Sequence, residues 1–178
     1  MAASRKPSSP DAGTDVAALH ASELLDRALD AMPPVAERFA VALSAGPDSA
    51  ALAVKAAEWA ARRGLEMRLF HVHHGLHPDA EAWTGQAADL AGRLGLPLDV
   101  RRVRVNPADP AGTEAAARDA RYRALAGMAA ETGIDTILLA HHLDDQAETV
   151  LLRLLRGAGT DGMGAMAGET RQDGIRYL

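Results

Sequence analysis

Phe39-Ala-Val-Ala-Leu-Ser-Ala-Gly-Pro-Asp-Ser49 is the stretch on which the fold turns. Its unbroken apolar run, Phe39 to Leu43, suits a strand covered on both faces. Small and turn-forming residues follow. Pro47 belongs in the first turn of a helix, where its missing N–H has no helical partner to lose. That helix is expected to reach Arg63 and to stop at Gly64. A strand, a tight turn and a helix start in succession point several backbone N–H groups at one spot and favour an anion there. Gly46 is expected to permit the tight turn, and Ser44 and Ser49 add hydroxyl donors. The loop lacks the Gly-Lys-Ser/Thr of a Walker loop and the three spaced glycines of a dinucleotide fold. Asp48 among phosphates calls for a hard cation such as Mg²⁺, which a carboxylate would hold.

Outward from this loop, strand and helix patterns alternate. A first helix is expected over Val16 to Met32, ended by Pro33-Pro34. Met67 to His73 reads as the second strand, Ala80 to Leu94 as a helix closed by Gly95, and Leu98 to Val105 as the third strand. Thr113 is the expected N-cap of a helix ending at Thr132 before Gly133. Thr136 to Ala140 is the fourth strand, Leu143 to Arg156 the next helix, Gly157 to Gly164 a glycine-rich loop, and Ile175 to Leu178 the start of another strand. This rhythm predicts an α/β fold with a doubly wound, mainly parallel sheet and helices on both faces. The arginine-rich third strand suits an edge, and right-handed crossovers then give the order 3-2-1-4-5. The chain reverses direction between strands one and four, and ligands bind above such a switch point.

Composition narrows the chemistry. The 178 residues contain no cysteine, which excludes disulfides, thiolate metal sites and cysteine nucleophiles. No apolar run approaches the roughly 20 residues of a membrane span, and residues 1–15 read as a disordered lead-in to a domain over residues 16–178. A cytoplasmic protein is expected. The net charge of −5 disfavours nucleic-acid binding over the whole surface but leaves local clusters: Arg101, Arg102 and Arg104; Arg118, Arg121 and Arg123; Arg153 and Arg156. Any one cluster alone reads as a solvated face.

A second chemical stretch, Ala140-His-His-Leu-Asp-Asp-Gln-Ala-Glu-Thr149, follows the fourth strand and opens a helix. Asp144 and Asp145 fall in its first turn, where the helix dipole favours carboxylates and a metal could bind. In Glu114-Ala-Ala-Ala-Arg-Asp-Ala-Arg-Tyr122, the spacing puts Glu114, Arg118 and Arg121 on one helix face, with Arg123 pointing away.

Ser44-Ala-Gly-Pro-Asp-Ser49 resembles the Ser-Gly-Gly-x-Asp-Ser signature of the PP-loop ATP pyrophosphatases, with Ala45 in place of the first glycine. If that position needs a positive φ or the close approach of a phosphate, alanine would weaken binding; it is expected to be tolerated, because Gly46 and every polar member of the motif remain. The whole set is similar to the tRNA(Ile)-lysidine synthetase family. His71-Val-His-His-Gly-Leu76 resembles its second-strand motif, Glu114 to Tyr122 its arginine helix, and the run from His141 into Val150-Leu-Leu-Arg-Leu-Leu-Arg-Gly-Ala-Gly159 its second signature. The resemblance covers Phe39 to Tyr177. It implies an adenine nucleotide alpha hydrolase-like fold and a ligase that uses ATP and Mg²⁺. Its substrates would be free L-lysine and a tRNA(Ile) with a CAU anticodon; a homodimer is one assembly it allows. Carried over by position, Ser44, Ala45, Gly46, Pro47, Asp48, Ser49, His73 and His142 would meet the nucleotide. Asp48 and Asp145 would hold the metal, and Asp48, Arg118, Arg121 and Asp145 would serve catalysis. The family continues into C-terminal tRNA-binding domains, so this piece is expected to be truncated and to grip tRNA weakly alone. The rivals are another PP-loop enzyme, with cysteine-dependent thiolases disfavoured, and a nucleotide-binding module that has lost catalysis.

Overall fold

The computed structural model describes residues 12–105, 110, 112–140 and 169–178. The chain divides into two compact units, Met1–Met32 and Pro33–Leu178. The first holds helix α1 (Ala12–Ala31), which begins four residues before the expected Val16, so Ala12 to Asp15 are helical.

The second unit contains β1 (Arg38–Ala42), α2 (Pro47–Arg63), β2 (Glu66–His73), α3 (Ala80–Leu94) and β3 (Leu98–Arg102). It continues with α4 (Thr113–Thr132), β4 (Thr136–Leu138), β5 (Thr170–Gln172) and β6 (Ile175–Tyr177). The sheet order is β3-β2-β1-β4-β6-β5, parallel except for the β5–β6 pair. The expected order therefore holds, with the last expected strand seated beside β4. The antiparallel edge strand β5 was not expected from the pattern. It is joined to β6 through Asp173 and Gly174, both at positive φ (51° and 79°), as a two-residue hairpin turn requires.

Alternation along β1 shows why helices cover both faces. Phe39 points to α2, where its ring meets Trp59 edge-on at 5.7 Å. Its neighbour Ala40 lies on the other face, in a cluster with Leu125, Met128 and Ala129 of α4, Phe70 of β2, Ile137 of β4 and Ile175 and Tyr177 of β6. Both layers mix aliphatic and aromatic side chains, and the second includes the edge-on pair of Tyr122 and Tyr177 at 5.0 Å. The expected stops are in place: Gly64, Gly95 and Gly133 each close a helix in the left-handed conformation. Thr113 is not the N-cap of α4. Gly112 occupies that position, and no side chain caps the helix there.

The edge strand β3 confirms the bland reading of its arginines. Arg101 pairs with Glu131 of α4 at 2.6 Å, and Arg102 is gripped by both oxygens of Glu81 on α3. These cations are committed to neighbouring carboxylates. The Leu143–Arg156 helix, the glycine-rich loop and the Arg153 and Arg156 pair lie outside the described residues.

Leu125, 1% exposed at the centre of the α4 layer, gives a test of this packing. Leu125→Ala should cost about 3 kcal/mol, the usual scale for such a truncation, read as a lower urea midpoint with unchanged m-value.

Candidate active site

The C-terminal ends of β1, β2 and β4 open into a cleft of about 610 Å³. Its floor is Ala42 to Ser44 with Ser49, one wall carries His71 to His74, and the other carries Glu114, Ala117, Arg118 and Arg121 of α4. These α4 positions repeat at helical spacing, which bears out the shared face read from the sequence. Among the described residues, Glu114 and Arg118 make no ion pair with each other, so the intrahelical pair is not formed.

The loop after β1 is tied by its two serines. The Ser44 N–H donates to Ser49 Oγ at 3.1 Å, and the two hydroxyls lie 3.0 Å apart. Ser49 Oγ donates to the Gly46 carbonyl at 3.0 Å, and the Gly46 N–H reaches Ser44 Oγ at 3.4 Å. Ser49 is 5% exposed, so its hydroxyl mainly closes the turn, while Ser44 is exposed at the cleft floor. Pro47 opens α2 as expected, and Asp48 stands exposed in its first turn.

The tight turn is not made by Gly46. Gly46 has φ −74°, open to any residue, and a Cβ built on it would meet Ser44 Oγ at an ordinary 3.5 Å. The positive φ falls on Ala45, at 68°. The left-handed region costs a residue with a Cβ about 1 kcal/mol, so the departure from the glycine pattern sits where glycine is conformationally favoured.

His71 anchors the same loop from the second strand. It is 3% exposed, with Nδ1 at 2.7 Å from the Leu43 carbonyl and Nε2 at 3.1 Å from Thr84 Oγ1 on α3. A carbonyl only accepts, so Nδ1 carries the proton and the neutral ring turns Nε2 to the threonine. His73 lies on the same side of β2, its Nε2 3.3 Å from Glu81 but without hydrogen-bond alignment. His74 faces Arg121. Burial, before the Arg121 charge and the neighbouring imidazoles, pushes His74 below the ordinary histidine range; burial does the same for His71 against its bond to Leu43.

His73 Nε2, His74 Nδ1 and Arg121 Nε are buried with no hydrogen-bond partner among the described residues. Buried polar atoms are nearly always paired, so three orphans on two walls of one cleft mark where a polar ligand would satisfy them. Arg118 and Arg121 each hold their guanidinium 5.5 Å from the Tyr122 ring centre, which steadies both cations. The structure thus brings together Ser44, Ser49, His73, Arg118 and Arg121. Asp145 and His142 lie outside the described residues. Sequence reasoning singled out His73 in its motif but gave no role to His71, His74 or Thr84; for His71, two positions before His73, the period of two along β2 was the available signal.

Residues 19–178 match the PP-loop domain. The chain belongs to the PP-loop domain family. It is 56% identical over 151 residues to the tRNA(Ile)-lysidine synthase of Bordetella pertussis, covering 85% of this chain and 47% of that protein. The same-named protein of Ralstonia nicotianae is 56% identical over 129 residues, covering 71% of this chain and 28% of its own length. That of Rhodopseudomonas palustris is 45% identical over 166 residues, covering 92% and 47%. The chain spans less than half the length of these relatives. Among solved structures, the U34-tRNA thiolase NcsA of Methanococcus maripaludis, with its [4Fe-4S] cluster, superposes with a TM-score of 0.62. That likeness, at 17% identity over 80% of this chain and 52% of the thiolase, extends to the fold.

Two outcomes follow from this geometry. Ala45→Gly should raise stability by about 1 kcal/mol, visible as a Tm several degrees higher, because the left-handed turn loses its Cβ penalty. The unfolded chain takes up protons on histidine near the ordinary pKa of 6.5, whereas folded His71 and His74 resist them. Their contribution is therefore complete above that pH and is lost as pH falls from it toward their lowered values. Urea midpoints between about pH 7.5 and about pH 5.5 should fall with acid, and less steeply in His71→Asn.

Proposed function

We propose that this chain carries the ATP-cleaving catalytic site of a tRNA(Ile)-lysidine synthase. The reading rests chiefly on His73, His74 and Arg121, whose buried polar atoms have no hydrogen-bond partner among the described residues and which line one cleft with Ser44 and Ser49. The relatives named above add the substrate class.

In this reading ATP lies with its phosphates at Ser44–Ser49, where Ser44 and the N–H groups of the α2 start meet them. The C2 carbonyl oxygen of the wobble cytidine attacks the α-phosphorus, and pyrophosphate leaves. The ε-amine of free lysine then attacks C2 of the adenylated base, AMP departs with the former carbonyl oxygen, and lysidine results. Arg118 and Arg121 clamp phosphate or the extruded base and neutralise charge as it develops. Asp145 is assigned to the metal and to orienting lysine, and His73 and His142 to the nucleotide.

Asp48 suits Mg²⁺. It is a hard oxygen donor in the first turn of α2, beside the phosphate loop. Mg²⁺ is commonly held by one or two carboxylates together with substrate phosphates. Bound there, it would offset charge on the pyrophosphate leaving group. The absence of cysteine argues against thiolase chemistry. A cytoplasmic location fits the tRNA substrate.

The strained Ala45 supports a second reading, a nucleotide-binding module without turnover. Labelled lysine, tRNA(Ile) and ATP separate the two: label should enter the tRNA, whereas ATP binding without turnover would favour the module. Asp48→Ala should slow pyrophosphate release by at least about 100-fold, the scale of removing one charge-stabilising group. Release at the normal rate would remove Asp48 from the mechanism.

A further inference from the structure

Leu76, His77 and Trp83 line the cleft, and the mechanism above gives none of them a task. All three are exposed. Trp83 is 39% and Leu76 47% exposed, two of the four large hydrophobic side chains that stand open among the described residues. His77 and Trp83 are stacked, ring centres 4.7 Å apart and planes within 20°. The imidazole is held in that pose by the Asp79 N–H, which donates to His77 Nδ1 at 3.1 Å. This is an oriented aromatic surface, kept open at a cost in burial.

The facing wall says what covers it. Arg118 and Arg121 project from α4 into the same cleft, and neither has a carboxylate partner among the described residues. On β3, by contrast, Arg101 and Arg102 are both paired with carboxylates. Flat aromatic surface opposite unpaired guanidinium is the chemistry that holds unpaired RNA, with a base on the rings and a phosphate on the arginine. We infer that Trp83 and His77 form a stacking shelf for one unpaired base of the RNA substrate, next to the base that reacts. The inference rests on the reading of the substrate as tRNA.

Tryptophan emission can test it. The chain has two tryptophans, and Trp59 is 5% exposed and packed against Phe39, so solvent-side changes report on Trp83. The full chain would be titrated with a short cytidine-rich single-stranded oligoribonucleotide, and separately with ATP. The RNA should quench emission saturably, ATP alone should not, and Trp83→Phe should lose the signal. By polarisation of the labelled RNA, Trp83→Ala should bind about ten-fold more weakly, as expected for one lost base–aromatic stack, and Trp83→Phe should stay within about two-fold. Quenching by ATP alone would assign the shelf to adenine and overturn the inference. So would no quenching by RNA, or Trp83→Ala binding RNA as tightly as the parent. Lysine transfer separates the two readings. If transfer fails while RNA still quenches, the lysine assignment falls and the shelf stands. If transfer proceeds and Trp83→Ala leaves the KM for tRNA unchanged, the shelf alone falls.

Discussion

The carbonyl of Leu43 is the point on which the site depends. Leu43, one residue past β1, still donates its N–H to the Phe70 carbonyl at 2.8 Å, but its own carbonyl is taken by the side chain of His71. A buried carbonyl must find a donor, and here a side chain supplies it where a strand neighbour would otherwise be needed. The chain is therefore free to leave the sheet at Ser44 without an unpaired group behind it. The bond also fixes the imidazole tautomer, and through Thr84 it ties the loop to α3. The serine bonds then shape a turn whose entry is already set.

Much of this was legible in the sequence. The strand order followed from the alternation of elements and from the polar character of β3, because right-handed crossovers leave few arrangements. The α4 face followed from spacing alone. What was less legible depended on conformation within a single turn. Gly46 drew attention as the flexible residue, yet the left-handed backbone falls on Ala45, and only coordinates could show which residue bears it. Thr113 has the composition of a cap but sits one position inside its helix. The β5–β6 hairpin went unread, because the strands flanking Asp173-Gly174 are three residues each, too short to give a pattern. His71 looked like one histidine among three; its depth in the strand separates it from His73 and His74.

Charge in this molecule is sorted by environment. The net charge of −5 gives no hint of a cationic cleft, because the carboxylates that balance the arginines are placed selectively. Glu81 and Glu131 quiet the edge-strand arginines, and Glu169 takes Arg171 and Arg176. Arg118 and Arg121 lean on an aromatic ring instead, which steadies them without cancelling their charge. An anionic ligand entering the cleft would meet these two cations.

The two margins of the sheet have a consequence for how the molecule behaves in a crowd. An open strand is a template on which another chain can build, and long, flat, apolar margins invite fibrils. Here one margin is β5, three residues long and exposed throughout, turned back by its hairpin. The other is β3, five residues long, with Arg101 and Arg102 strapped to the helices beside it. Among the described residues, short length at one margin and fastened charge at the other leave little for a second copy to extend.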